Sequence, residues 1–216
     1  IDFYLDLLHG NEKWTDLRVI EVYKLFGDWI KKGYFIPDAP AYDWQEACTP
    51  LLEGKAAMFY MGSWAFTALK TKAEAVDFFL FPKINPKMPS TISAPSDGWF
   101  KAAKALHPEE ADLLLEFLAS KEAQETYARK TGMGVLHKDV SPEIYHPTLA
   151  RALKTVWEVD TVFQWFNRDT HPTIAAYTIE TDGLFFENPD KVEQILSDME
   201  NRCRAFWESE EGKKYR

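Results

Sequence analysis

The residues of this chain best placed for chemistry are flat rings beside small turn residues, not paired acids and bases. A first group, Gly62-Ser63-Trp64, ends the apolar run from Ala56 to Met61 and opens the segment after it. A strand that stops at Gly-Ser before a helix presents backbone N–H groups and a hydroxyl at the helix start. Trp64 is the first side chain beyond that turn. It either projects into a cleft or seals the helix against a sheet. A second group, Asp97-Gly98-Trp99, comes after a stretch holding Pro82, Pro86, Pro89 and Pro95. Asp97 offers two acceptor oxygens, Gly98 permits close backbone approach or positive φ, and Trp99 offers a face for a cleft or for the core. A third group gathers Trp157, Phe163, Trp165, Phe166, Asn167 and Arg168. Asn167 and Arg168 can serve hydroxyl groups bidentately or stand solvated on a surface loop. Rings next to such polar groups suit a carbohydrate, whose C–H face stacks on an aromatic face. The chain has 8 Trp, 9 Tyr and 15 Phe, and most of these must be core because each buries a large area.

Catalysis lacks its signatures. A glycosidase needs two carboxylates about 5–10 Å apart across a sugar, whereas Asp43, Glu109, Glu110 and Asp190 sit where helices start and capping explains them. No Gly-x-Ser-x-Gly elbow, Gly-rich phosphate loop or His pair at i,i+4 is present. His107, His146 and His171 precede proline, which reads as turn chemistry. Cys48 and Cys203 are too few and too far apart for a zinc site or a disulfide framework. They read as buried small apolar residues or as a single pair. A net charge of -9 leaves no basic stripe for phosphates and excludes nucleic acid as a partner. No apolar run reaches the roughly 18 residues that span a bilayer.

The elements that must position these groups can be read from caps and periodicity. Val19, Val22, Phe26 and Trp29 predict a helix from Thr15 to Lys32, with Thr15 as N-cap and Gly33 ending it. Asp43 with Glu46 predicts a capping box for a helix that stops at Gly54. Ala56–Met61 and Asp77–Phe81 read as strands, with a short one from Trp99 to Ala103. Ser63 should cap the helix that begins at Trp64. Residues 82–98 read as an irregular crossing. Pro108 should open a helix with Leu113, Leu114, Phe117 and Leu118 on its apolar face, Ser120 should cap the next, and Gly132 should stop it. Pro172 opens a helix interrupted near Gly183, and Pro189 opens the last, with Val192, Ile195, Leu196, Met199, Cys203 and Phe206 on one stripe. No internal repeat is evident, and the alternation of strands with helices places the chain in the α/β class.

Two segments go further. One is Leu51-Leu52-Glu53-Gly54-Lys55-Ala56-Ala57-Met58-Phe59-Tyr60-Met61-Gly62-Ser63-Trp64. The other runs from Asp97-Gly98-Trp99 through His107-Pro108-Glu109-Glu110-Ala111 to Phe117-Leu118 and Glu122-Ala123-Gln124. In order and spacing they resemble the bacterial extracellular solute-binding proteins of the maltose and multiple-sugar ABC importers, from about Thr15 to Val140. Beyond Val140 only a helical layout is shared. That family often has Gly-Gly where this chain has Asp97-Gly98.

The resemblance implies a periplasmic-binding-protein-like, two-lobed α/β fold, of which this chain is mainly the carboxy-terminal lobe. Residues 1–90 and 148–216 would form that lobe, and residues 91–147 would cross to the amino-terminal lobe. It implies a sugar or oligosaccharide bound between the lobes by Gly62, Ser63, Trp64, Asp97, Gly98, Trp99, Trp165, Asn167 and Arg168. Tyr177 matches the family's site only loosely and reads as core. The implied partners are the permease subunits of an ABC transporter, at the periplasmic or extracellular face of the membrane, with no cofactor, no metal and no catalysis. Ile1-Asp2-Phe3-Tyr4 reads as a cut into a longer chain with any signal peptide or lipid anchor upstream. The apolar helix face at Leu113–Leu118 would then drive self-association of the piece. The rival classes are a carbohydrate-active enzyme domain and a structural or interaction domain.

Overall fold

The computed structural model describes residues 2–215, with the side chain of Trp157 outside the described residues. In chain order the helices are α1 (Asp2–Leu8), α2 (Leu17–Lys31), α3 (Cys48–Leu52), α4 (Phe66–Leu69), α5 (Pro108–Ala119), α6 (Lys121–Thr131), α7 (Pro147–Trp157), α8 (Phe166–Asp169), α9 (Pro172–Glu187), α10 (Val192–Glu208) and α11 (Glu210–Tyr215). Two short strands, β1 (Thr91–Ser93) and β2 (Thr161–Phe163), pair with each other. The chain divides into two compact units, residues 1–41 with 163–216 and residues 42–162.

The first unit is mainly helical, and its core tracks the predicted stripe of α10. Val192, Leu196, Met199, Cys203 and Phe206 are buried together with Ile174 and Phe185 of α9, Val19 of α2, Leu7 of α1 and Trp14. Ile195 and Tyr177 pack against this cluster, so Tyr177 is core, in line with its sequence reading. Burial pushes the Cys203 thiol up to about 12, which keeps it protonated and unreactive. Cys48 is buried in the other unit, and both thiols are free.

Two local expectations for this unit need correction. The N-cap of α2 is Asp16, not Thr15: its carboxylate accepts the Arg18 N–H at 2.8 Å. Asp wins because the Arg18 side chain folds back onto the same carboxylate, Nε to Oδ1 at 2.8 Å. The helix α9 runs through Gly183 without a break. One glycine costs a helix about 1 kcal/mol, and the buried Thr178, Thr181 and Phe185 on the same helix outweigh it. Gly33 does end α2, with φ of 69°.

The Asp16 cap gives a pH-dependent prediction. The side-chain and backbone hydrogen bonds from Arg18 lower the Asp16 pKa to about 2. A depressed folded-state pKa contributes stability that is complete above the ordinary Asp value near 3.9 and disappears as pH falls through the folded value. Asp16→Asn is therefore expected to be less stable than the parent at pH 5, with the gap closing by pH 2. Urea titrations across that range check it, and a gap that is constant with pH would contradict it.

The second unit is built around two small apolar clusters. Cys48, Ala65 and Leu69 form one, and Phe66, Ala73 and Leu149 form the other. The predicted capping box forms: Glu46 N–H donates to Asp43 Oδ1 at 2.7 Å and Asp43 N–H to Glu46 Oε2 at 3.1 Å. It closes a turn and not the helix start that the sequence predicts: α3 begins only at Cys48, behind an Ala47 N-cap with no side-chain hydrogen bond, and Gly54 at φ 73° follows its end. Helices α5 and α6 match their predicted ends, with Ser120 Oγ accepting the Ala123 N–H at 3.3 Å and Gly132 at φ 77°. No residue of α5 is buried within this chain.

The predicted strands at Ala56–Met61, Asp77–Phe81 and Trp99–Ala103 have no ladder partner among the described residues. The first two keep a strand's alternation all the same. Phe59 and Met61 pack on the Cys48 cluster while Met58 and Tyr60 are exposed. Val76 and Phe78 face the clusters while Phe79 and Phe81 are exposed. Period-two patterning reports the backbone's extension, whereas a strand also needs a neighbour for its N–H and C=O groups. Only the crossing region gains one: Ser90 accepts the Thr161 N–H at 3.1 Å, and Asp160 accepts both the Ser90 N–H and its hydroxyl at 2.8 Å.

Candidate functional site

The turn at Gly62 is fixed by the residues on its carboxy-terminal side. Ser63–Ala65 form a 3-10 turn in which the Ala65 N–H donates to the Gly62 carbonyl at 3.0 Å, leading directly into α4. Ala65, 2% exposed, enters one apolar cluster of the unit and Phe66, 3% exposed, enters the other. The Thr67 hydroxyl donates to the Trp64 carbonyl at 2.9 Å. These constraints leave the half-buried Trp64 indole on a pinned backbone. Ser63 is not the cap that the sequence predicts: Gly62 occupies that position and no side chain caps the turn. The helical stretch is too short to align many peptide dipoles, so an anion-binding helix start is not what this turn provides.

Just before the turn, Tyr60 is 82% exposed and meets Phe81 edge-on at 5.6 Å between ring centroids. Sequence reasoning missed this pair. Its signal was the alternation itself, because Tyr60 lies opposite in phase to Phe59 and Met61.

In the same unit Asp97, Gly98 and Trp99 lie in an exposed, irregular stretch after β1, with Trp99 65% exposed. Trp99 is therefore not a core residue of this chain. Gly98 does not use positive φ, so of the two roles open to it only close approach remains. A Cβ there would come within 3.2 Å of the Phe100 ring.

Of the third group, Phe163, Trp165, Phe166, Asn167 and Arg168 belong to the first unit, whereas Trp157 ends α7 in the second. Trp165 precedes α8, and the Arg168 guanidinium lies over its ring, 4.7 Å from the centroid. A cation held on a ring in this way is kept from wandering in solvent. Asn167 and Arg168 are exposed, and Trp165 is half-buried. The neighbouring rings are packed among themselves. Phe166 meets Trp14 at 5.2 Å, Phe163 meets Tyr4 at 5.2 Å, and the Tyr4 hydroxyl donates to the Gln164 carbonyl at 2.9 Å. Burial together with the nearby Asp169 charge raises the Tyr4 phenol to about 12, so it donates throughout the physiological range. The structure thus brings Gly62, Ser63 and Trp64 together in one unit and Trp165, Asn167 and Arg168 together in the other. The side chain of Trp157, which the sequence groups with the latter, lies outside the described residues. No cluster of His, Cys, Asp and Glu among the described residues could hold a metal ion.

Comparison with known proteins gives this geometry a context. An ABC transporter extracellular-binding protein of Pyrococcus horikoshii is 29% identical over 164 residues, which is 74% of this chain and 36% of that protein. A solved chitin oligosaccharide binding protein superposes with a TM-score of 0.81 at 26% identity, covering 100% of this chain and 54% of its own. The solved bacterial solute receptor AcbH, described as having an exclusive preference for β-D-galactopyranose, superposes with a TM-score of 0.82 at 22% identity over 96% of this chain and 54% of its own. The chain thus spans about half the length of the solved structures that it matches, and it shares the fold of that half. The sequence profile of the bacterial extracellular solute-binding proteins matches residues 7–125, a span holding the Gly62-Ser63-Trp64 turn, the exposed Asp97-Gly98-Trp99 stretch and the helix α5 beyond them; the chain belongs to that family.

Proposed function

We propose that this chain is part of the substrate-binding component of an ABC importer and that it binds a sugar or oligosaccharide without transforming it. The observation that carries this reading is the Gly62-Ser63-Trp64 turn, where two buried neighbours pin the backbone and hold a half-buried indole. Likeness to a chitin oligosaccharide binding protein supports the ligand class. Ser63, Asp97, Gly98 and Trp99 are ligand-binding residues in this reading, as are Trp165, Asn167 and Arg168. Arg168, already held over Trp165, offers N–H donors to sugar hydroxyls at little further cost in side-chain entropy. The intact protein works by population shift: the sugar makes extra contacts in a closed form, and permease subunits read that form. The same reading places the protein at the periplasmic or extracellular face of the membrane. It assigns residues 91–147 to packing with the amino-terminal lobe, in keeping with an α5 that buries none of its residues here.

A thermal-shift panel of galactose, maltose, chitobiose and related sugars on the full-length protein tests the function. A ligand present at 100 times its dissociation constant stabilises the folded state by about 2.7 kcal/mol, so one or more sugars should raise the Tm by several degrees. A panel in which no sugar moves the Tm, while an amino acid or peptide does, would overturn the ligand class.

The exposed Leu113, Leu114 and Phe117 lead to a further expectation, that the 216-residue chain by itself pairs with a second copy through α5. Apolar surface left in water costs about 25 cal/mol per Å². Sedimentation should show concentration-dependent association that Leu113→Glu with Phe117→Glu abolishes. A monomer at all concentrations would show that this face needs no cover.

A further inference from the structure

Gly62 has an extended backbone, φ −85° and ψ 175°, that any residue adopts. Its lack of a side chain therefore serves no conformational need, unlike Gly54, whose φ is 73° and around whose added Cβ there is open space. What Gly62 supplies is room. A Cβ built on it would overlap Cζ3, Cη2 and Cε3 of Trp64, so the six-membered ring of the indole folds back along the chain against the α-carbon two residues earlier. The main chain between them cannot yield. It is held by the Ala65-to-Gly62 hydrogen bond, by the burial of Ala65 and Phe66, and by the Thr67 hydroxyl on the Trp64 carbonyl. The indole, by contrast, turns on two side-chain torsions, and a methyl group at position 62 must displace it.

We propose that Gly62 is the positioning residue for the Trp64 ring: its bare α-carbon sets the rotamer, and so the direction and depth, of the indole that the sugar stacks on. This rests on the reading of Trp64 as the stacking ring. A binding constellation tolerates errors of only about 0.5 Å and 10–20°, and the displacement forced by one methyl group exceeds that. Gly62 thus acts through Trp64, not through a contact of its own with the ligand.

The test uses the full-length protein labelled with ¹⁵N at its indoles, with Trp64→Phe identifying the Trp64 indole resonance by its disappearance. Gly62→Ala should shift that resonance strongly while leaving the other indole resonances and the Tm close to the parent's. For the best-binding sugar of the galactose, maltose and chitobiose panel, Gly62→Ala should weaken affinity about tenfold in the parent and leave it unchanged in the Trp64→Ala background, since coupled residues are not additive. An unmoved Trp64 resonance in Gly62→Ala would overturn the proposal. So would a tenfold loss that persists without Trp64, because Gly62 would then touch the sugar itself. If Trp64→Ala binds every sugar normally while Gly62→Ala still moves the indole, the positioning stands and the stacking reading of Trp64 fails.

Discussion

Phe185→Ala is expected to destabilise the unit formed by residues 1–41 and 163–216 severely, by about 3–5 kcal/mol. Phe185 is 1% exposed and sits where α2 and α9 meet. Its ring receives Tyr23 edge-on at 4.9 Å and stacks on Phe26 at 6.0 Å. On α2, Gly27 faces the same ring, and a Cβ there would already stand in van der Waals contact with it at 3.4 Å. Packing this dense cannot collapse into the space that a lost ring leaves, so the cavity penalty adds to the lost transfer energy. A domain's whole stability is about 5–15 kcal/mol, so the variant should lie near the threshold of folding. The neighbouring Phe186 is only half-buried, against Phe26 and Phe35. Phe186→Ala should cost less than half as much. Urea denaturation followed by circular dichroism measures both, and a Phe185→Ala loss below about 1.5 kcal/mol would show that α2 and α9 repack freely.

Helices were legible in the sequence because they carry their instructions locally. A cap is a hydrogen bond between residues two or three apart, so the Asp43–Glu46 box, the Ser120 cap and the Gly132 stop are readable from spacing alone. The α10 stripe is readable because a helix's period is its own. Two local readings err by weighing single residues too heavily. Thr15 looks the better cap only while the Arg18 side chain, which completes the hydrogen bonds of the Asp16 carboxylate, is left out. Gly183 has less breaking power than its type suggests, because Phe185 anchors the same helix. The strands were only half legible. Their alternation appears in Phe59 and Met61 against Met58 and Tyr60, but pairing is a relation between distant segments that no local pattern encodes. At the site, residue types pointed to Trp64, Trp99 and Trp165, yet the reason for glycine at 62 stayed hidden. A glycine that makes room for a ring two residues on looks, in sequence, like any glycine in a turn.

Trp64→Ala should separate the two roles that a half-buried indole can have. As the stacking anchor of a sugar site, it should weaken binding by about 1–3 kcal/mol, roughly 5- to 150-fold in dissociation constant. Stability should change little. The backbone at this point is pinned by Ala65 and Phe66 in their separate clusters and by the Thr67 hydroxyl, none of which needs the indole. Trp64→Phe should recover part of the affinity, because a smaller ring still offers a face, although one shifted from the place that Gly62 sets for the indole. A core role predicts the reverse pattern: normal affinity, and a stability loss in the range of about 3–5 kcal/mol that burying a Trp commands. Calorimetric titration with the best-binding sugar and urea denaturation of the same preparations give both numbers. Affinity lost with stability kept assigns Trp64 to the ligand, and affinity kept with stability lost assigns it to the fold.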